Sequence, residues 1–583
     1  IRYNGDGGKV TIPNGITAIA DGVFNENSNV LSVTISSSVK SIGNLSFAGC
    51  KNLTELVINS GVTQIKYGAF QDCSGLATVS IPKSVASIGQ NAFNGTPWLQ
   101  NYSGDFVVVG KNMLIKYKGS EKSVKIPKSV KSIGDYAFSD CKTIKRVAFP
   151  KKLRSIGDFA FAGCENLATM VIPNTVTSIG ESAFYKCKSL TGTINIPKNV
   201  TAIGRNAFWD CTSIGSFCIS NSVTNIGEFA FRGCTNLKSI GVGNKNVAYS
   251  SQDGVLFNKA KTTLIQYPNQ KSGPYEIPEG VEIIETWAFF GCSHLKKITI
   301  PNSLKEIGWG TFENCLKLKE VSFPDSFQSI GDSAFLGCVK LKAINIPRSV
   351  AYIGDFAFKG CTKLAAINVD SSNLYYSSAD GVLFNKGMTS IINYPCNKAG
   401  EYVIPNGVEH IDGFAFSASN GLTSVTIPSS VKSIGVEAFR ACKTLERVFF
   451  FGNAPKMERA GEVLDFAQFD DCSPALKIYF ISGNTGFPNL WYGYSTANFG
   501  VPVESVLLNT AGIKWPVGKS GTFKVTVTPD YATSKDLSWK STNIKVATVD
   551  SNGKVTAVGA GTTTITCTAI GGNKTATCRM TVF

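Results

Sequence analysis

The sequence predicts a mixed α/β repeat solenoid followed by a separate all-β domain, and three observations carry that reading. A phenylalanine recurs every 23 residues through most of the chain. Each repeat places an alternating apolar stretch, a proline, a second extended piece and a glycine in the same order. After Pro502 the vocabulary changes to short β-runs. One such repeat cannot bury its own apolar face, whereas a stack of them can.

The marker phenylalanines are Phe24, Phe47, Phe70 and Phe93, then Phe138, Phe161, Phe184, Phe208 and Phe231, then Phe289, Phe312, Phe335 and Phe358, and finally Phe416 and Phe439. Within a block every step is 23 residues except one of 24, where TGTINIP carries an extra residue. The gaps between blocks are 45, 58 and 58 residues. Each unit justifies its elements in turn. In LKAINI, Leu341, Ile344 and Ile346 can enter a core while Ala343 and Asn345 face out, the alternation of a short strand. Pro347 ends it. Val350 and Ile353 make a second short extended piece, Gly354 permits a tight bend, and Asp355 is expected to begin a turn of helix holding Ala357 and Phe358.

The repeat LxxVxIPxSVxxIGxxAFxGC resembles the BspA-type leucine-rich repeat of bacterial surface proteins, over most of residues 10 to 450. That resemblance implies a curved mixed α/β leucine-rich-repeat solenoid, with a parallel sheet on its concave side and short strands and helical turns on its convex side. It also implies a cell-surface location and a role in adhesion and host contact.

A cysteine stands three residues after the marker in twelve of the fifteen repeats, and Asn27, Thr96 and Ser419 replace it in the others. All are small and can bond turn backbone from inside a coil. Stacked strands lie about 4.8 Å apart, whereas disulfides want Cβ atoms about 3.8 Å apart. The expectation is therefore a ladder of buried free thiols. No zinc site is expected, because no C-x2-C pair occurs and the chain has only two histidines.

The two 58-residue gaps hold near-copies, YSSQDGVLFNKAKTTLIQYPNQKSGPYEIPEGVEII and YSSADGVLFNKGMTSIINYPCNKAGEYVIPNGVEHI, and the 45-residue gap a cousin, SGDFVVVGKNMLIKYKG. Each reads as a β-hairpin, either a contact point on one edge or a continuation of the stack. Residues 451–502 read as a degenerate last repeat, echoed in Phe469 and Cys472, that caps the core; Trp491, Tyr492 and Tyr494 alternatively form a sugar-stacking platform. The solenoid thus takes 1–450, the cap 451–502 and the β-domain 503–583. The run LSWKSTNIKVATVDSNGKVTAVGAGTTTITCTA is similar to a bacterial immunoglobulin-like domain of group 2, which implies an all-β sandwich serving as an extracellular spacer or adhesive module. Trp539 is its expected core aromatic, with Gly553, Gly559 and Gly561 at turns. Cys567 and Cys578 are expected to oppose each other across a hairpin turning at Gly572 and Asn573, a candidate disulfide pair.

Chemistry is sparse. No apolar run of eighteen residues could span a bilayer. The sequence opens at Ile1 inside an ordinary structured segment, which suggests a mature or trimmed form. Catalysis needs converging histidine, carboxylate and nucleophile. His294 and His410 fall in distant coils, VGKSG at 517–521 lacks the earlier glycine of a phosphate loop, and the acids Asp135, Asp158, Glu181, Glu228, Asp332 and Asp355 read as helix-dipole partners. No catalytic, cofactor or metal site is expected. Lysine and arginine outnumber acids by 57 to 41, and some of that excess is in register. His294, Lys317, Lys340 and Lys363 precede a strand leucine by one position, and Lys296, Lys319 and Lys342 follow it by one. These columns are a candidate anion track or a solvated basic edge. The outward strand positions Thr78, Ser80, Asn345, Asn368 and Thr426 advertise no particular chemistry. The expected function is a non-enzymatic, secreted or surface-attached adhesin taking a protein or glycan ligand, acidic ligands included. The alternative is a cell-envelope component that binds wall polymer or self-associates. Neither a specific nucleic-acid partner nor membrane insertion is expected, and the oligomeric state is not set by the sequence.

Overall fold

The structure is a computed structural model that describes residues 7–458, 467–481, 484–530, 532, 534–570 and 574–583. It divides into two compact units, Ile1–Cys361 and Thr362–Phe583.

In the first unit each repeat is one coil with two short strands, and the coils stack in register. Arg146–Ala148 pairs in parallel with Thr169–Met170, and Ser155–Ile156 with Ser178–Ile179. The single 24-residue step is carried through as Ser178 opposite Ala202. The core between the strands is a set of columns, one residue per coil. Phe138, Phe161, Phe184 and Phe208 are wholly buried, and their rings stack with centroids 4.7, 5.4 and 5.2 Å apart, within 9° of parallel.

The expected helical turns do not form, and the fold is a β-solenoid rather than a mixed α/β one. Among the described residues helical structure is limited to Pro97–Gln100 and a 3-10 turn at Ala467–Phe469. The reason lies in the backbone around each marker. Tyr136 and Asp140, two residues either side of Phe138, take left-handed φ of 56° and 59°. The amides of Tyr136, Phe138 and Asp140 then donate to the carbonyls of Asp158, Ala160 and Ala162 in the next coil, at 3.0, 2.8 and 2.7 Å. Those of Ala137, Ser139 and Cys141 close tight turns onto Gly134, Tyr136 and Phe138. A helix would satisfy these groups within the coil; here the neighbour satisfies every second one, so stacking takes over the role of the helix. The acids therefore have no helix dipole to complement. Asp135 Oδ1 instead accepts the Asp158 amide at 2.9 Å, and Asp158 Oδ1 that of Glu181 at 2.7 Å.

The cysteines extend the same ladder. Cys164 Sγ donates to the carbonyl of Phe138 in the preceding coil at 3.0 Å, and Cys315 and Cys338 do likewise to Phe289 and Phe312. All 17 cysteines are free thiols. Of the substitutes, Thr96 donates to Phe93 at 2.7 Å and Asn27 accepts from Asn29, while the Ser419 hydroxyl has no partner among the described residues.

The insertions are hairpins that also continue the stack. Phe106–Val109 and Met113–Tyr117 pair antiparallel, and Met113 and Leu114 then pair in parallel with Ser132 and Ile133 as a coil strand would. In the first long insertion Tyr249–Gln252, Val255–Asn258 and Thr263–Gln266 form an antiparallel meander whose last strand joins Ile283–Ile284 in parallel. Tyr117 and Tyr267 take the marker's place: the Tyr267 ring lies 4.7 Å from that of Phe289, and its amide donates to Ala288.

The second unit repeats the plan. Its meander, Tyr376–Ala379, Val382–Asn385 and Ser390–Asn393, joins His410–Ile411, and Tyr394 stacks on Phe416. Phe469 stacks on Phe439 at 5.1 Å and Cys472 donates to the Phe439 carbonyl, so the last degenerate repeat is a true coil. The strand Tyr494–Phe499 closes the sheet against Lys477–Ile481. Trp491 is buried against Phe450 and Phe487, and the Tyr494 hydroxyl donates to the Phe469 carbonyl, so both are cap packing rather than a sugar platform.

The C-terminal residues form an all-β domain with two apolar clusters. Trp539 is half-buried, packs against both, and stacks with Phe523 at 5.8 Å. The expected cysteine pair is out of register: Cys567 faces Ala576 and Cys578 faces Ile565. Such diagonal neighbours lie about 7–8 Å apart, beyond the reach of a disulfide. The turn at Gly572 and Asn573 lies outside the described residues.

Candidate functional site

Parallel stacking converts sequence periodicity into rows of side chains, and the basic columns are one such row. In the first unit Lys296, Lys317, Lys319, Lys340 and Lys342 are all exposed. The Lys319 amide donates to the Lys296 carbonyl at 2.9 Å, which fixes these two residues on adjacent coils. None of the five makes an ion pair among the described residues. The next column inward is partly neutralised, with Lys297 Nζ 2.5 Å from Glu320. Lys363, exposed as well, belongs to the second unit.

A second feature was not anticipated from the sequence. Where the first long insertion interrupts the stack, a pocket of about 270 Å3 opens between the coil of Phe231 and that of Phe289. Phe229, Phe231 and Arg232 form one wall, Tyr249 and Thr263 come from the meander, and Glu285 and Trp287 close the far side. The Arg232 guanidinium sits 3.2 Å from the centre of the Trp287 ring, with Trp209 and Phe290 at 4.7 and 4.4 Å. This cation–π packing, and a hydrogen bond from the Trp287 indole to Glu313 at 3.1 Å, pin the indole in place. The Tyr249 hydroxyl accepts the Ile226 amide at 2.9 Å. Burial, and then the nearby charge of Glu228, push the Glu285 carboxyl above its usual value. Glu228 itself lies 3.8 Å from Arg205. The sequence signal for the break is the Tyr-Pro of YPNQ, which stands 22 residues before Phe289.

The two histidines belong to different units. His294 Nδ1 lies 3.1 Å from the Ser293 hydroxyl. His410 Nδ1 lies 2.9 Å from the Ser433 hydroxyl, with Glu409 3.9 Å from its other nitrogen. The likeness to a nucleophilic triad is superficial. The Ser433 hydroxyl donates to Glu458, and Glu409 is held by Lys432 at 2.8 Å. This is a polar ladder along the strand row of Ser390, His410 and Ser433. The described residues contain no group of side chains suited to a metal ion, and no helix is long and apolar enough to cross a membrane.

A family described as BspA type leucine rich repeat region matches residues 3–106, 109–238, 155–272, 266–379 and 374–461, and one described as bacterial Ig-like domain (group 2) matches 502–580. An uncharacterized protein of Clostridium acetobutylicum is 34% identical over 90 residues, which is 15% of this chain and 9% of that protein. The chain thus spans about a tenth of the length of this curated relative. Among solved structures, a leucine rich cell surface protein of Faecalibacterium prausnitzii is 26% identical with a TM-score of 0.39, over 78% of this chain and 90% of that one. A leucine-rich repeat protein of Eubacterium ventriosum is 22% identical with a TM-score of 0.34, over 83% and 92%. With the repeat family matched along most of its length, the chain belongs to the BspA-type leucine rich repeat family and carries a bacterial Ig-like domain of group 2 at its C-terminal end.

Proposed function

We propose that the chain is a non-enzymatic, extracellular binding protein, secreted or displayed at a bacterial surface, whose repeat stack presents a recognition surface to a protein or glycan. The family resemblance supports the location, and the immunoglobulin-like domain fits a spacer that holds the stack away from its attachment. The observation that carries the reading is the row of exposed lysines in register, without ionic partners among the described residues. At a spacing of about 4.8 Å, neighbouring unit charges repel by roughly 0.8 kcal/mol in water. An acidic glycan, wall polymer or acidic protein face relieves that repulsion and releases counterions.

The test is to probe the intact chain against glycan and protein arrays at low and physiological salt. Binding to acidic ligands is expected to fall steeply with salt, and to be largely lost when Lys317, Lys319, Lys340 and Lys342 are changed to Ser with the melting temperature unchanged. A quadruple variant that binds every acidic ligand as well as the parent refutes the lysine track. Ligands drawn only from the bacterium's own wall would favour an envelope component over an adhesin.

A further inference from the structure

We propose that the pocket at the interrupted stack binds one neutral, acetamido-bearing hexose of a glycan. This deepens the binding-protein reading and rests on it. The argument begins with what the break leaves undone. In the coil before it, the amides of Asn206, Phe208 and Asp210 donate to the carbonyls of Glu228, Ala230 and Arg232 at 3.0, 2.9 and 2.9 Å. One coil later the equivalent amides of Phe229 and Phe231 have no acceptor among the described residues. The meander stands between them and the next turn, that of Tyr267. Both residues line the pocket, and the ladder's polarity directs their N–H groups toward the C-terminal neighbour, the side on which the pocket opens. The two amides flank Ala230, whose own amide turns back to Gly227, and with Phe229 at a left-handed φ of 59° they bound a concavity that favours an acceptor oxygen.

The remaining walls narrow the chemistry. Glu228 and Glu285 can accept from ligand donors and repel a carboxylate, which disfavours an anionic sugar. The Tyr249 hydroxyl, already an acceptor for the Ile226 amide, keeps its own proton to donate. Half-buried Phe229 offers apolar surface for ring C–H groups, and the Trp287 indole, buried beneath Arg232, backs that wall. An acetamido group brings an acceptor oxygen, an N–H and a methyl within one small substituent, matching the free amides, the carboxylates and the apolar wall. Sugar hydroxyls take the rest. At about 270 Å3 the pocket is at the small end of ligand sites and suits a single ring.

The earlier insertion supplies an internal comparison. The amides of Asn91 and Phe93 are left without acceptors in the same way, but the cavity there is only about 60 Å3. That is room for about two waters and for no sugar. The break alone does not make the site; the break together with the wider meander does.

The intact chain should be titrated with N-acetylglucosamine and its β-1,4-linked oligomers, with tryptophan fluorescence and saturation-transfer NMR as readouts, and with glucose and glucuronate as comparisons. Saturable binding of the acetamido sugar is expected, about tenfold tighter than glucose, the worth of one or two hydrogen bonds. Glu285→Gln should weaken it severalfold with unchanged melting temperature, and Tyr249→Phe should weaken it severalfold with a slightly lower melting temperature, because the Ile226 amide loses its acceptor. The proposal is overturned by absence of saturable binding, by preference for glucuronate, or by variants that bind as the parent does. Any of these leaves the array experiment, and the general binding-protein reading, standing on its own.

Discussion

Replacing Phe335 by alanine tests the packing argument where its terms are best defined. The ring is wholly buried and stacks against Phe312 at 5.4 Å and 7° and against Phe358 at 5.9 Å and 10°, with Phe323 edge-on at 6.3 Å. Deleting a buried phenylalanine costs about 3–5 kcal/mol, and losing two parallel neighbours, each worth about 0.5–1.5 kcal/mol beyond area, places this site in the upper part of that range. Cys338, three residues on, is as deeply buried, yet its removal should cost only about 1 kcal/mol. Its thiol donates to the Phe312 carbonyl at 3.1 Å, but that carbonyl also accepts the Cys315 amide at 3.2 Å, so Cys338→Ala orphans no backbone group. Urea unfolding followed by circular dichroism on both variants decides the matter. Because each coil contacts only its neighbours, Phe335→Ala should also split the transition, with nearby coils melting first. The reasoning fails if the two variants are equally destabilised, or if Phe335→Ala lies within about 1 kcal/mol of the parent.

Three further outcomes are expected. The chain denatured without reductant should titrate at least the twelve marker cysteines as free thiols, since all 17 are unpaired; one or two would refute the thiol ladder. Burial holds the Asp135 carboxyl up at about 6 against an ordinary 3.8. The folded chain therefore binds this proton more tightly than the unfolded one, so the group favours folding below about pH 4 and loses that advantage as pH rises through about 6. Asp135→Asn keeps the acceptor for the Asp158 amide and should stabilise by about 1 kcal/mol at pH 7, after discounting for solvent, but not at pH 4; equal effects at both would refute it. Residues 503–583, with two apolar clusters of their own, should melt cooperatively when expressed alone, and a disordered fragment would mean that the cap completes the domain.

The repeat, its strands and its core were legible because they rest on period and alternation, which stacking preserves. The expectation from Leu341, Ile344 and Ile346 agrees with their burial, and Ala343–Ile346 is the observed strand. The helical turn was misread because Ala-Phe after a glycine and an acid looks like a helix start when one coil is considered alone. The contrary signal was present two residues beyond the marker, where Gly49, Asp72, Gly163, Asp210, Asn314 and Gly337 recur. These residue types tolerate left-handed φ, and in the structure all six adopt it. Aromatic residues two before the marker, such as Phe159 and Trp287, adopt it too, at 54° and 59°. Only the stack that over-determines them can hold bulky side chains there, and no local rule foretells it.

The basic columns and the pocket differ in legibility for the same reason. A column of lysines is a property of the repeat, so alignment alone finds Lys296, Lys319 and Lys342. The pocket is a property of the repeat's failure. Its donors are ordinary backbone amides, invisible in side-chain identity, and they are free only because the meander from Tyr249 to Gln266 displaces the coil that would have accepted them. A marker search restricted to phenylalanine passes over Tyr267 and sees a gap of 58 residues, when the spacing is 36 to the tyrosine and 22 from it. Reading tyrosine as an allowed marker turns the gap into a coil with an extra hairpin, and the place where its ladder cannot close becomes the place to look for a ligand.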